Sequence, residues 1–236
     1  MEAEINPDTA DTVAPELPRQ GEGAGPVLPA RENPFGLPVV GIGASAGGVS
    51  ALQTFFEATP SDTGMAFVVV LHLSPDHVSH LPEVIQQITA LPVVAVTEPV
   101  RAEADHIYVV IPGKHLEISD GILYPRDFVP TLGRRVAIDQ FFRTLAEGYG
   151  PQVVCVVLSG TGEDGAIGLG MVKEMGGLTV AQEPEDAEYD AMPRAAIATG
   201  MVDYVLPAAG MAAQIAEYWE ASRRMLVPSD AAPSPG

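Results

Sequence analysis

The stretch Leu37-Pro-Val-Val-Gly-Ile-Gly-Ala-Ser-Ala-Gly-Gly-Val49 decides the fold of this chain. It runs from apolar residues through a glycine-rich turn into an amphipathic segment, which predicts a strand, a tight turn and a helix. Ser45 lies at the apex of the turn, between the carboxyl end of the strand and the N-terminus of the helix. Backbone N–H groups and the helix dipole stabilise negative charge at such a position. Ser45 is therefore a candidate nucleophile.

Two sequence patterns overlap in this turn. Residues 43–47 (GASAG) match the G-x-S-x-G nucleophile turn of hydrolases. Residues 41–46 match the looser form of the dinucleotide fingerprint, G-x-G-x-x-A. The glycines alone do not distinguish a serine nucleophile from a dinucleotide site.

The next predicted strand, residues 65–73, favours serine chemistry. A dinucleotide site needs an Asp or Glu near the end of this strand to bind the ribose hydroxyls, whereas this strand ends with His72. The carboxyl ends of neighbouring parallel strands share one crevice, so we expect His72 to lie beside Ser45 as a general base.

A third predicted strand, residues 153–159, leads into a glycine-rich turn that carries Glu163 and Asp164. Asp164 is the candidate carboxylate that would orient the imidazole of His72, and Glu163 is the competing acid. The alternative role for Asp164 is to cap the helix that follows it. Ser45, His72 and Asp164 together have the chemistry of a catalytic triad, which depends on geometry rather than on chain order.

Strands and helices alternate along the rest of the chain. This alternation predicts an α/β fold with a single doubly wound, mostly parallel sheet, helices on both faces and a local antiparallel hairpin. The hairpin is expected over residues 115–124, with its turn at Asp120-Gly121. The globular domain is predicted to span residues 37–224, after a disordered tail rich in Pro, Ala and Glu over residues 1–36 and before a linker or tail over residues 225–236.

The composition excludes several classes of protein. The 236 residues carry a formal net charge of −19, which argues against nucleic acid and anionic membrane surfaces as partners. No apolar stretch approaches the ~20 residues that span a bilayer, and the first residues lack the pattern of a signal peptide. The single cysteine, Cys155, excludes a disulfide framework. We therefore expect a cytoplasmic protein.

Four segments together resemble the chemotaxis receptor methylesterases of the CheB type. They are GIGASAGG (41–48), VVLHLSPDH (69–77), LSGTGEDGAIGL (158–169) and AQEPEDAEYDAMPRAAI (181–197). The resemblance extends over about residues 38–219. It implies hydrolysis of glutamyl methyl esters on receptor signalling helices with release of methanol, and in some members deamidation of receptor glutamines.

The resemblance also assigns roles to individual residues. It implies that Ser45 is the nucleophile, His72 the base and Asp164 the acid of the triad. The residues it places near the oxyanion or the substrate are Ala46, Thr161, Met192 and Arg194. It implies no cofactor and no metal, and the spacing of His72, His77 and His80 gives little support for a metal site.

The implied partner is the methylated cytoplasmic domain of a receptor. Well-known members carry a receiver domain before the esterase, but only 36 residues precede the first predicted strand here, too few for such a domain. In the segments GASAGG, SGTG and MPRAAI, the sequence is closer to family members that are fused to a receptor methyltransferase. A fused or separate methyltransferase, sensor kinase or response regulator is thus a further expected partner. The alternative function is a degenerate esterase-like module that binds receptors or regulates a kinase.

An acidic receptor helix is an awkward substrate for a chain with this net charge. We therefore expect local positive charge near the site to offset the repulsion. The candidate residues are Arg134, Arg135, Arg143 and Arg194.

Overall fold

The computed structural model describes residues 36–71, 80–127 and 136–226, with side chains up to residue 223. Both predicted tails, apart from Gly36 and residues 225–226, lie outside this range, as do His72, His77, Arg134 and Arg135. The strands are β1 (Val39–Ala44), β2 (Ala66–Leu71), β3 (Val93–Val96), β4 (Val100–Arg101), β5 (His106–Val110), β6 (Lys114–Ser119), β7 (Ile122–Asp127), β8 (Val153–Val157), β9 (Leu178–Gln182) and β10 (Tyr204–Leu206). The helices are α1 (Gly48–Glu57), α2 (Leu81–Gln86), α3 (Ala137–Tyr149), α4 (Ala166–Glu174), α5 (Ala191–Ala198) and α6 (Ala208–Leu226).

The main sheet has seven parallel strands in the order β10-β9-β8-β1-β2-β5-β3. The chain first moves from β1 to β2 on one side and later returns to place β8 on the other side of β1. This reversal of direction beside β1 is the topological switch point at which open α/β sheets bind their ligands. The predicted doubly wound sheet is confirmed, and the turns after β1 and β8 lie side by side at the switch point.

Helices cover both faces of the sheet, so every residue of β1 is buried although successive side chains point to opposite faces. Val40, Ile42 and Ala44 belong to the core beneath α1, α2 and α6. Val39 belongs to the opposite core, which α3, α4 and α5 cover. The glycines of β1 share this second face with Val39.

A separate three-stranded antiparallel sheet, in the order β4-β7-β6, packs beside α3. The predicted hairpin is its β6–β7 pair, and the turn residues Asp120 and Gly121 have φ values of 50° and 79°. Positive φ at both positions is the signature of the hairpin turn that matches strand twist. Strand β4 was not predicted, because two residues are too few to show a periodic pattern.

None of the helices in the described part of the chain is long and apolar enough to cross a membrane.

Gly41 and Gly43 lie inside β1, under α3, and not in the turn that follows the strand. A Cβ atom at Gly41 would lie 2.5 Å from Leu145 Cδ1 and 3.2 Å from Phe141 Cε1. A Cβ atom at Gly43 would overlap Ile138. The glycines therefore let α3 approach the sheet closely. Phosphate-binding glycines of a dinucleotide fingerprint belong to the turn itself, so the structure supplies a different reason for this pattern.

Substitution of Gly41 by Ala tests this close approach. Overpacking of a filled core typically costs about 1–3 kcal/mol, and we expect a loss of that size in the free energy of unfolding measured by urea denaturation. The matched control is Gly170→Ala in α4, where a Cβ atom would meet nothing within 4 Å. The control should be stabilised by about 0.5–1 kcal/mol through helix propensity. Equal stability of Gly41→Ala and the unmodified protein would contradict this account of the strand.

Candidate active site

Ser45 occupies a tight turn between β1 and α1. Its N–H donates a 3.0 Å hydrogen bond to the carbonyl of Ser159, and its own carbonyl accepts one of 2.9 Å from the N–H of Gly48. Gly47 precedes the helix with φ of 69°, a conformation that favours glycine. The side chain of Ser45 is half-buried. The predicted strand–turn–helix setting of this serine is confirmed.

The turn after β8 runs directly beside the turn of Ser45. A Cβ atom at Gly160 would lie 3.0 Å from Ser45 Cβ and would overlap Met192 Sδ. The N–H of Met192 donates a 3.0 Å hydrogen bond to the carbonyl of Gly160. The structure thus brings Ser45 and the buried Met192 together across Gly160, and the role of Met192 near the oxyanion or the substrate stays a prediction.

Two backbone N–H groups in these turns are available to a ligand. The amides of Ala46 and Thr161 donate no hydrogen bond within the described part of the chain. Ala46 follows Ser45 directly, and Thr161 lies on the exposed turn after β8. N–H groups fixed in adjacent turns are suited to binding a negatively charged oxygen.

Ser159 holds the two turns together, a role that the sequence analysis missed. Its hydroxyl donates a 2.9 Å hydrogen bond to the carbonyl of Ala46 and accepts one of 3.0 Å from the N–H of Tyr189. Its backbone N–H donates to Gln182 Oε1 at 2.7 Å. Ser159 is fully buried. A polar residue at the end of an otherwise apolar strand was the signal in the sequence, since buried hydroxyls need partners.

Asp164 does not cap its own helix, α4, whose N-cap position is Gly165. Instead its carboxylate accepts hydrogen bonds from the first turn of α3, from the N–H of Ile138 at 3.1 Å and from that of Asp139 at 3.0 Å. The expectation that Asp164 caps α4 is therefore wrong, because Asp164 caps α3 instead. The N–H of Gly165 also faces this carboxylate, so about one lone pair remains for a further partner.

The carboxylate of Asp164 has an unusual protonation equilibrium. Burial raises its pKa to about 6, against the lowering effect of the hydrogen bonds from Asp139 and Ile138. The negative charge of Asp139 raises the pKa further. The competing acid, Glu163, is exposed on the same turn. Partial burial and a perturbed pKa at a strand tip are typical of functional carboxylates.

One of the four predicted arginines near the site, Arg194, is compensated by acidic side chains. Arg194 Nε lies 2.6 Å from Asp190 Oδ2, and its guanidinium also lies 3.6 Å from Glu185. Arg194 is exposed on α5, beside the acidic loop that neutralises it. Arg143 is exposed on α3, whereas Arg134 and Arg135 lie outside the described residues.

Glu188 adds negative charge at the nucleophile turn. A Cβ atom at Gly47 would lie 2.8 Å from Glu188 Cβ and 3.0 Å from its Oε2, so this side chain covers the turn. Its carboxylate has no hydrogen bond or ion pair within the described residues. Among the described residues, Glu188 therefore places negative charge beside the turn of Ser45, where positive charge was expected.

His72 is the one predicted triad member that lies outside the described residues, and its position relative to Ser45 stays a prediction. Strand β2 pairs with β1 up to Leu71, opposite Ala44, and Leu71 is the last described residue before His72. Among the described residues, no three His, Cys, Asp or Glu side chains are grouped in a way that could hold a metal ion. His80 is described, and His77 is not.

Comparison with known proteins identifies the family. The CheB methylesterase family matches residues 40–215. The chain belongs to this family. A solved structure of the CheB methylesterase catalytic domain of Thermotoga maritima superposes with a TM-score of 0.72 at 27% sequence identity, covering 77% of this chain and 98% of that one.

Curated relatives show how the family domain is used in other proteins. A putative protein-glutamate methylesterase/protein-glutamine glutaminase of Leptospira interrogans is 34% identical over 170 residues, which are 70% of this chain and 86% of that protein. An uncharacterised 104.1 kDa protein of Rhodobacter capsulatus is 41% identical over 140 residues, which are 55% of this chain but 14% of that protein. Several other CheB relatives are matched over about half of their length.

Removal of the Ser159 hydroxyl tests its role between the turns. Ser159→Ala leaves the carbonyl of Ala46 and the N–H of Tyr189 without this partner, which we expect to cost about 1–3 kcal/mol of unfolding free energy. The rate at which a fluorophosphonate labels Ser45 should also fall, because the turn of Ser45 loses its anchor. The matched control is Ser222→Ala, whose hydroxyl bonds only a carbonyl of its own helix at 2.9 Å. A labelling rate unchanged in Ser159→Ala would refute the anchoring role.

The raised pKa of Asp164 predicts how stability depends on pH. An unfolded Asp has a pKa of about 3.9, so between about pH 4 and pH 6 the folded state binds more protons at Asp164 than the unfolded chain does. This group therefore lowers the free energy of unfolding as the pH rises through that window. In urea denaturation at successive pH values, the free energy of unfolding of Asp164→Asn should fall less steeply with rising pH than that of the unmodified protein.

The control for this measurement is Asp62→Asn, which changes an exposed carboxylate and should keep the slope of the unmodified protein. An Asp164→Asn variant with that same slope would show that Asp164 titrates alike in the folded and unfolded states.

Proposed function

We propose that this chain is a serine hydrolase that removes methyl groups from glutamyl methyl esters of chemoreceptor-type signalling proteins. The observation that carries the proposal is the position of Ser45 at the topological switch point, beside the turn of Asp164. The N–H groups of Ala46 and Thr161, which donate to none of the described residues, lie in the same two turns. Family membership supports the substrate class, since the relatives named above include protein-glutamate methylesterases. Deamidation of receptor glutamines is a second reaction that the same acyl-transfer chemistry would support.

In the proposed mechanism, His72 takes the proton of the Ser45 hydroxyl as its oxygen attacks the ester carbonyl. The tetrahedral oxyanion accepts hydrogen bonds from the N–H groups of Ala46 and Thr161. His72 then protonates the departing methoxide, and methanol leaves. Water then attacks the acyl-enzyme as His72 takes its proton, and His72 returns this proton to the departing Ser45 Oγ. The glutamic acid product ionises to its carboxylate.

Asp164 would complete the triad by accepting a hydrogen bond from the imidazole of His72. Its bonds from the first turn of α3 and from Gly165 fix the direction of the carboxylate and leave about one lone pair for the imidazole. A carboxylate so placed would select the tautomer that acts as a base and stabilise the imidazolium that forms.

The cellular setting is part of the proposal. We infer that the substrate is the cytoplasmic domain of a methylated receptor and that the protein acts in the cytoplasm, in chemotaxis or a related signalling pathway. A methyltransferase, sensor kinase or response regulator, fused or separate, would control it. The occurrence of the family domain as a small part of the 104.1 kDa Rhodobacter protein is in keeping with such fusions.

Methanol release tests the proposed reaction. Receptor cytoplasmic domains that bear radiolabelled methyl esters are incubated with the unmodified protein, Ser45→Ala and His72→Ala. Loss of the nucleophile should lower turnover about 10⁴- to 10⁶-fold, as in other triad hydrolases. Ser50→Ala, which removes an exposed hydroxyl in α1, is the matched control and should keep full activity. Full turnover by Ser45→Ala would overturn the proposal, and binding of receptors without any turnover would favour the esterase-like binding module.

Glu188 provides a test of the charge at the site. Its carboxylate repels both an acidic receptor helix and the oxyanion that forms beside Gly47, so Glu188→Gln should raise kcat/KM about 2- to 5-fold at low salt. The gain should shrink as salt screens the charge. Glu57→Gln, at the opposite end of α1, serves as the control and should leave kcat/KM unchanged. A lower kcat/KM for Glu188→Gln would mean that this carboxylate binds the substrate.

A further inference from the structure

Two carboxylates cap each other's helices at the edge of the candidate site. The Asp164 carboxylate, on the turn before α4, accepts hydrogen bonds from the first turn of α3. In return, the Asp139 carboxylate in that first turn accepts a 2.8 Å hydrogen bond from the N–H of Gly168 in α4. The N–H groups of Gly165 and Ile167 also face the Asp139 carboxylate. Each acid therefore supplies the cap of the other element, across 25 residues of sequence.

The two elements approach each other too closely for side chains to separate them. A Cβ atom at Gly168 would lie 2.8 Å from the carbonyl oxygen of Asp139, and one at Gly165 would lie 2.8 Å from Ile138 Cγ2. The backbones of α3 and α4 are therefore in close contact there. Hydrogen bonds connect them in both directions, from α3 amides to Asp164 and from an α4 amide to Asp139. The turn that carries Asp164 can change its place only if the bonds of Asp139 break as well.

Helix capping alone does not explain this choice of residues. Ser, Thr or Asn would cap either helix without a charge, whereas here two like charges are partly withdrawn from water. Burial raises the pKa of Asp139, and the charge of Glu163 raises it further, so the pair carries an electrostatic cost in the folded state. Perturbed pKa values of this kind cluster at functional sites.

Asp139 acts on Asp164 through two separate groups. Its backbone N–H donates directly to Asp164 Oδ1 at 3.0 Å. Its side chain holds the start of α4, immediately after the turn that carries Asp164. Together these bonds fix both the position of the Asp164 carboxylate and its rotation about the Cβ–Cγ bond.

We propose that Asp139 is a positioning residue for the esterase reaction, which holds the Asp164 carboxylate in the orientation that His72 requires. This inference rests on the proposed function. Asp139 has no contact with substrate in this account and acts only through Asp164. Loss of its side chain should therefore slow the chemical step and leave substrate binding unchanged.

The test compares kcat and KM for Asp139→Ala, Asp139→Asn and the unmodified protein with the methylated receptor domain. Asp139→Ala removes the carboxylate that accepts from Gly168, Gly165 and Ile167, and should lower kcat about 10- to 100-fold with KM within twofold. In Asp139→Asn, the amide oxygen can still accept from Gly168, but its NH₂ group cannot accept from Gly165 or Ile167. The kcat of Asp139→Asn should fall about 3- to 10-fold, between the values of the other two proteins. Glu147→Ala, an exposed acid near the end of the same helix, is the matched control and should match the unmodified protein.

The outcomes separate this inference from the proposed function. Absence of methanol release from the unmodified protein, or full release by Ser45→Ala, would overturn the function itself. An active unmodified protein with an unchanged kcat in a folded Asp139→Ala would overturn the positioning role, whatever the change in melting temperature. If Asp139→Ala does not fold, Asp139→Asn decides: a kcat equal to that of the unmodified protein refutes the inference, and a reduced kcat at constant KM supports it.

Discussion

The close approach of α3 to the central strand is the constraint on which the site depends. Gly41 and Gly43 leave room on one face of β1 for the side chains of Ile138, Phe141 and Leu145. Because α3 lies this near to the sheet, its first turn reaches the carboxyl edge where β1 and β8 end. The N–H groups of that turn can then meet the carboxylate of Asp164. Hydrophobic packing of α3 against β1 thereby determines where the candidate acid of the triad lies.

Hydrogen bonds between turns convert this packing into a defined site. Ser159 joins the turn of Ser45 to the turn after β8 and to the loop before α5, and its full burial shields these bonds from water. Asp139 and Asp164 join α3 to α4 in the same way. The N–H groups of Ala46 and Thr161 lie in these fixed turns and donate to no group in the described part of the chain, so a ligand can accept hydrogen bonds from them. A site of this kind is organised before the substrate arrives, which is the condition for effective stabilisation of an oxyanion.

The sequence predicted the parts of the structure that depend on local pattern. The continuous apolar runs of β1, β2 and β8 indicated buried parallel strands, and Asp120-Gly121 indicated the hairpin turn. The setting of Ser45 followed from its flanking glycines. The partners of Asp164 and Asp139 could not be predicted, since they depend on how two helices meet across 25 residues of chain. Gly41 and Gly43 were similarly ambiguous, because a motif does not show whether a glycine faces a ligand or a helix. The pairing of Arg194 with Asp190, in contrast, is an i,i+4 contact at the start of α5 that the spacing of these residues could have indicated.

The central claim is that Ser45 is a nucleophile served by His72 and Asp164. The most direct measurement is a crystal structure of the protein inactivated with a small fluorophosphonate. The account predicts a phosphorus–oxygen bond to Ser45 Oγ, a phosphonyl oxygen within hydrogen-bond distance of the N–H groups of Ala46 and Thr161, and the imidazole of His72 between the adduct and the Asp164 carboxylate. Modification of a different residue, or an Asp164 carboxylate that bonds only the first turn of α3 while His72 lies elsewhere, would contradict it.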